Sequence, residues 1–182
     1  MNFRPKVHYI NSGGSDKNLG GHYNDTIKHL PDEEWICVSD QDALWFPEFV
    51  LKQVEDAINV HGNTYQLMGA YTNRVAAERQ RAFPEKFDNM DIFEFRKDAE
   101  LLHKERYNKV KPIKDIAGVF MLFPKALWNK VKFREKTIAC DTFFCRDAKS
   151  AGYKIGLIEG VYVYHWYRAQ SKDPVHFKRH LL

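Results

Sequence analysis

NLGGHYNDTIKHLPDEEWICVSDQDALWFPEFV, residues Asn18 to Val50, is the stretch whose reading decides the fold. Residues 19–30 carry Tyr23, Ile27 and Leu30 on one helical face, and Pro31, which has no amide proton to donate, stops the helix. Residues 35–38 (WICV) form an unbroken apolar run, the pattern of a strand buried on both faces, and it ends at Ser39-Asp40-Gln41-Asp42. Pro47 then suits the first turn of a helix in which Phe49, Val50, Val54, Ala57 and Ile58 recur at three-to-four spacing until Gly62. The reading is helix, buried strand, acidic strand end, helix.

Outward from this segment the alternation continues. Residues 6–10 (KVHYI) read as a short strand entering the turn-forming loop 11–18, and residues 66–71 (QLMGAY) as a second buried strand. Residues 116–123 read as a strand, 124–131 as a short helix, 141–151 as a helix closed by Gly152, and 154–158 and 161–164 as final strands. Strands alternating with helices predict an α/β fold, a compact, mainly parallel sheet flanked by helices. Residues 72–112 are polar, with a helix over 91–108, and read as an insertion or lid within a single domain spanning 1–182.

Composition sets the outer bounds. The 182 residues are enough for one ordinary domain, and 44% hydrophobic with 14% aromatic content excludes intrinsic disorder. The formal charge of +4 suits an anionic ligand without marking a nucleic-acid binder. Three cysteines with no CxxC spacing predict a reduced, cytoplasmic protein, and no apolar run approaches the roughly 20 residues of a transmembrane helix. GxxxxGK[ST], GxGxxG, HExxH and GxSxG are all missing, which removes P-loop, dinucleotide, zincin and nucleophile-elbow chemistry.

Asp40 and Asp42 are the candidate chemistry. Two carboxylates at the carboxyl end of a buried strand offer hard oxygen ligands to a divalent cation, where open α/β sheets bind their ligands. With 13 Asp in 182 residues, about one Asp-x-Asp arises by chance, and an Asx turn closing the strand is the competing reading. At the end of the first strand, Tyr9 could stack on a base and Asn11 could hydrogen-bond it; Tyr9 as a core residue is the alternative.

Residues 18–50 resemble the middle of nucleotide-sugar glycosyltransferases of the GT-A type, especially the large family 2 group. Residues 117–168, AGVFMLFPKALWNKVKFREKTIACDTFFCRDAKSAGYKIGLIEGVYVYHWYR, are similar to that group's acceptor-side segment. The shared order is a small-residue strand, a short helix with Trp128, Phe133-x-Glu135, an acidic residue opening a helix that contains Arg146, Gly-Tyr-Lys-Ile, and a strand running into His165. Together the two segments cover about half the chain.

The resemblance implies a metal-dependent glycosyltransferase that moves a sugar from a nucleotide-sugar donor to a hydroxyl acceptor on glycan or protein. It implies Mn2+, or Mg2+, held by Asp40, Asp42 and His165, the histidine matching that of polypeptide N-acetylgalactosaminyltransferases. Asp40 would also approach the donor ribose, and Arg168, with Lys154 and Lys172, would face the donor phosphates. Asp141 falls where inverting members place the catalytic base, whereas the histidine resembles retaining relatives, so both stereochemical outcomes stand. A half-buried structural role for His165 and a helix-start carboxylate role for Asp141 also stand. Family 2 enzymes place two strand–helix units before the acidic motif, whereas only 30 residues lie between Tyr9 and Asp40, so the fold is shortened at its N-terminus. The rival functions are a non-catalytic nucleotide- or glycan-binding module, and transfer to modified nucleic acid through Arg74, Arg79, Arg81, Lys86 and the basic tail.

Overall fold

The structure is a computed structural model and describes residues 4–166 apart from 13–17, 74, 76, 87, 88, 90 and 138. Arg74, Arg168, Lys172 and the basic tail lie outside the described residues. Seven strands form one sheet: β1 (Val7–Ser12), β2 (Trp35–Asp40), β3 (Ala43–Leu44), β4 (Leu67–Thr72), β5 (Val110–Pro112), β6 (Met121–Pro124) and β7 (Ile155–His165). Five helices accompany them: α1 (Leu19–Ile27), α2 (Pro47–His61), α3 (Ile92–Glu105), α4 (Lys125–Lys130) and α5 (Cys140–Ser150).

The strand order is β1-β2-β6-β4-β7-β3, with β5 on β7. The pairings make β1, β2, β4 and β7 run the same way, while β3, β5 and β6 oppose them. The α/β class is as expected, and the sheet is mixed rather than simply parallel. Its four co-directional strands carry β2, β4 and β7 toward one shared carboxyl edge, and that edge is where Asp40, Asn73 and His165 sit.

Two core layers explain the period-two alternation along the strands. Ile36 and Val38 pack with Tyr23, Ile27, Met121, Phe133 and Phe144 under α1 and α5. Cys37 packs with Val50, Val54, Ala57 and Leu122 under α2. α1 can lie close to residues 133–136 because Gly20 has no side chain: a Cβ there would stand 2.1 Å from the Arg134 carbonyl oxygen. Asn18 locks that approach, its Oδ1 accepting from Gly21 N and from Lys136 N at 2.7 Å.

β7, Ile155–His165, is one long strand, not two. β7 keeps register with β4 up to Ile158, skips three residues, and resumes at Tyr162 opposite Tyr71. The skipped Glu159-Gly160-Val161 is the break that divides the sequence pattern, and it acts as a bulge that re-aims the strand end. Residues 116–120 are loop, and only Met121 onward is strand.

Much of 72–112 belongs to the packed structure. Phe95, Ala99 and Leu102 of α3 are buried against Tyr162 and Tyr164 of β7, with Phe46 and Phe49 closing the cluster. β5 adds a further antiparallel strand to β7. The Phe95 ring lies 4.4 Å from Tyr162 and 5.1 Å from Tyr164, centroid to centroid. Phe95→Ala is accordingly expected to lower unfolding stability by about 3–5 kcal/mol in urea titration, as for other buried Phe truncations. A change within about 0.5 kcal/mol would show that α3 is a detachable cover.

Candidate metal and transfer site

β2 delivers Asp40 at its last residue, and the two-residue turn that follows places Asp42 just before β3. β3 pairs antiparallel with the end of β7, Ala43 opposite His165, so the short strand absent from the sequence reading is what brings Asp42 to the histidine. The Asp42 carbonyl accepts from Trp166 N at 2.9 Å, and His165 N donates to Asn73 Oδ1 at 2.7 Å. His165 is thus fixed by its own backbone between the ends of β3 and β4.

His165 Nε2 lies 3.3 Å from Asp42 Oδ1 and 3.6 Å from Asp40 Oδ2. One ligand atom from each of the three residues falls within 4.8 Å of the others. Two carboxylates and an imidazole make a donor set that suits Mn2+ or another first-row cation better than Ca2+, which takes oxygen ligands. The residues fit such an ion.

The electrostatics are those of a site built for positive charge. Burial pushes the Asp40 carboxyl up to about 6, and the neighbouring Asp42 and Asp141 carboxylates add to this while His165 opposes it. Asp42 is also raised by burial, but its hydrogen bond and charge contact with His165, together with its own backbone N–H, bring it below the usual carboxylate range.

Asp141 opens α5 and faces the same space. Its Oδ2 accepts from Gly118 N at 2.9 Å and its Oδ1 from Thr142 N at 2.7 Å. Gly118 stands between the acids: a Cβ there would meet Asp40 Oδ1 at 3.5 Å and Asp141 Oδ2 at 3.6 Å. The loop carrying Gly118 is held by buried Gln80, whose Oε1 accepts from Ala117 N at 2.7 Å. Asp40, Asp141 and His165 line one cavity of about 270 Å3, completed by Tyr23, Val75, Met121, Phe133 and Cys140 among others.

The structure brings together Asp40, Asp42, His165 and Asp141 from three separate stretches of chain. Tyr9 is elsewhere: its ring packs 6.0 Å from Trp45, on the α2 side of the sheet, and it does not line the cavity. Asn11 is exposed on β1, opposite Ser39 in register. Arg168 lies outside the described residues. Lys154 precedes β7, at the far end from His165, about 30 Å away at the usual rise per residue, and so cannot share a phosphate with it. Arg81 donates to the Val75 carbonyl, Lys86 pairs with Asp98 at 2.7 Å, and Arg146 pairs with Asp147 at 3.2 Å.

Tyr23, Gly118, Gln80 and Asn73 are the contributors that sequence reasoning missed. Tyr23 reads as core and is core, its hydroxyl turned to the Ser39 carbonyl at 3.2 Å. No protein-family model and no curated protein matches the chain. Among the described residues, no helix is long and apolar enough to cross a membrane.

A raised Asp40 has a definite stability signature. A carboxyl whose folded value exceeds its unfolded value favours the fold below the unfolded value, and that contribution is lost as pH rises through about 6. At 1.36 kcal/mol per unit, ionised Asp40 costs the metal-free fold at most about 3 kcal/mol at pH 8. Asp40→Asn is therefore expected to raise the melting temperature of metal-free protein at pH 8, with little change at pH 4, and to abolish any stabilisation by Mn2+. A lowered melting temperature at pH 8 would contradict this electrostatic picture.

Proposed function

We propose that this protein is a metal-dependent glycosyltransferase of GT-A-like fold that moves a sugar from a nucleotide-sugar donor to a hydroxyl acceptor. The observation that carries the reading is the cluster of Asp40, Asp42 and His165, of which Asp40 and His165 share one cavity with Gly118 and Asp141. The order of these residues along the chain supports it, because each stands where the resemblance to family 2 enzymes calls for it.

Asp40, Asp42 and His165 would hold the cation, which when bound supplies positive charge for the leaving diphosphate. Asp40 and Asp42 orient the donor by that charge, and the backbone lock on His165 keeps the third ligand in place. Asp141 is the group able to accept a proton. Its two oxygens are aimed by backbone N–H donors from Gly118 and Thr142; Oδ1 also accepts from the Thr142 hydroxyl at 3.4 Å, and Oδ2 is the oxygen that retains a lone pair for an acceptor hydroxyl. In an inverting transfer the acceptor oxygen forms the new bond to the anomeric carbon as its proton passes to Asp141. The bond from that carbon to the donor phosphate oxygen breaks, and its electron pair leaves with the diphosphate.

A module that only bound nucleotide or glycan would have no use for Asp141 beside the cation ligands, which favours the enzyme. The basic residues invoked for nucleic acid within the described structure are engaged internally or dispersed: Arg81 and Lys86 are paired, and Arg79 is exposed on a 3-10 turn. Glycan or protein acceptors are the better match.

The test has two arms. Thermal-shift screening of nucleoside diphosphates and nucleotide sugars is expected to give stabilisation that depends on Mn2+, is weaker with Ca2+, and is lost in Asp42→Asn with the fold intact. Unchanged donor affinity in Asp42→Asn, measured by calorimetry with Mn2+ present, would sink the metal assignment.

For the second arm, Asp141→Asn is expected to lower transfer or donor hydrolysis by about 10²–10⁴-fold while donor affinity changes much less. A variant that loses stability but keeps its turnover would reduce Asp141 to a residue that ties α5 to the Gly118 loop.

A further inference from the structure

The loop that carries Gly118 also walls another groove, of about 430 Å3, lined by Arg79, Lys111, Pro112, Ile113 and Lys114. Three of these five residues are cationic and none is acidic. Lys111 is anchored: it donates to Tyr71 Oη at 2.5 Å, with Glu159 at 3.5 Å. Arg79 and Lys114 are both exposed, and among the described residues no side-chain hydrogen bond or ion pair holds either of them. The acids next to them in sequence do not line the groove; Glu78 lies 3.9 Å from Arg81, and Asp115 is half-buried. The groove thus carries positive charge left over from internal pairing, and a guanidinium beside an ammonium suits an oxyanion.

One short loop joins this groove to the transfer site. Ile113 and Lys114 line the groove, and Ala117 and Gly118 line the cavity. From Lys114 to Ala117 the chain spans at most about 11 Å, so one short oligomer reaches both spaces. A single hydrogen-bonded unit fixes both walls: Gln80, next to Arg79, donates to the Ala70 carbonyl at 3.2 Å and accepts from Ala117 N at 2.7 Å. Gly118 N in turn donates to Asp141 Oδ2, the oxygen assigned to the acceptor's proton. The groove therefore lies along the loop that borders the acceptor.

Resting on the glycosyltransferase reading, we infer that the acceptor is an acidic glycan, whose carboxylate, phosphate or sulfate group is held by Arg79 and Lys114 while the hydroxyl that receives the sugar reaches Asp141. The groove favours a glycan over other polyanions. An extended acidic peptide docks by adding a strand to a sheet edge, and β5 is three residues long and ends in Pro112, which has no amide proton to donate. A nucleic-acid strand draws its affinity from many phosphate contacts, and two unpaired cations are too short a track for it. Pro112 and Ile113 add an apolar wall on which the carbon face of a sugar ring can lie beside its acid group.

The experiment is calorimetry at low salt on matched pairs: hyaluronan and galacturonan tetrasaccharides and a phosphorylated mannan fragment, each against its carboxyl-reduced or dephosphorylated counterpart. A single-stranded oligothymidylate and an oligoglutamate peptide serve as rival polyanions. In at least one pair the acidic glycan is expected to bind about tenfold tighter than the neutral one, the scale of charge-assisted hydrogen bonds. Arg79→Gln combined with Lys114→Gln should remove that preference, with melting temperature and Mn2+-dependent binding of UDP and GDP unchanged. Equal affinity or no binding within every pair, a preference that survives the double substitution, or tighter binding of oligothymidylate or oligoglutamate than of any glycan overturns this inference and leaves the donor reading standing. A glycan preference that depends on Arg79 and Lys114, in a protein that binds neither UDP nor GDP with Mn2+, overturns the transferase reading and with it the acceptor role given to the glycan.

Discussion

Two carboxylates at and just beyond the end of a buried strand stand close enough to repel, Asp40 loses hydration there while Asp42 stays exposed, and the fold is arranged around holding them. Asp40 is drawn to the mouth of the cavity by a strand buried along its length, and Asp42 is returned toward it by the short pairing of β3 with β7. Burial leaves the charged form of Asp40 disfavoured despite His165, whereas for Asp42 the contacts with His165 and its own backbone N–H outweigh burial. Strain of this kind persists where the surrounding structure over-determines it, which is characteristic of functional sites. The β7 bulge, the Asn73 hydrogen bond and the α3 packing against Tyr162 and Tyr164 all fix the strand that carries the histidine.

Seen from that constraint, the second half of the chain is a frame for one loop. Gln80 holds Ala117, and Gly118 lies between Asp40 and Asp141, where an added Cβ would stand in van der Waals contact with both. α5 is aimed by the aromatic core beneath it, where Phe133 stacks on Phe144 at 4.1 Å and 11°. The carboxylates on the two sides of the cavity are thus set by packing and backbone hydrogen bonds rather than by each other. That is the condition for a site whose geometry survives changes in charge.

The sequence made the elements legible where local signals were strong. Pro31, Pro47, Gly62 and Gly152 punctuate helices, and the apolar run 35–38 leaves a buried strand as the natural reading. What could not be read was set by contacts distant in sequence. β3 and β5 are two and three residues long, and they exist because β7 offers them an edge. The Glu159-Gly160-Val161 bulge mimics a loop. α3 reads as part of a polar insertion or lid because its buried face is narrow, only Phe95, Asp98, Ala99 and Leu102. Within the site, Asp40, Asp42, Asp141 and His165 announce themselves by type and order, whereas Tyr23, Gln80 and Gly118 do not, since core tyrosines, glutamines and loop glycines are common everywhere. Tyr9, an aromatic at a strand end, is placed by the side-chain alternation of β1 on the face where Trp45 lies, its ring 6.0 Å away.

The central claim is that Asp40, Asp42 and His165 together hold a transition-metal cation. Electron-spin-echo spectroscopy of the protein loaded with Mn2+ addresses it directly, because a coordinated imidazole imprints 14N modulation on the manganese signal. The account predicts one such nitrogen, lost in His165→Gln with weaker retention of the ion. A manganese signal identical to that of the aqueous ion, unaltered by the His165 substitution, would contradict it.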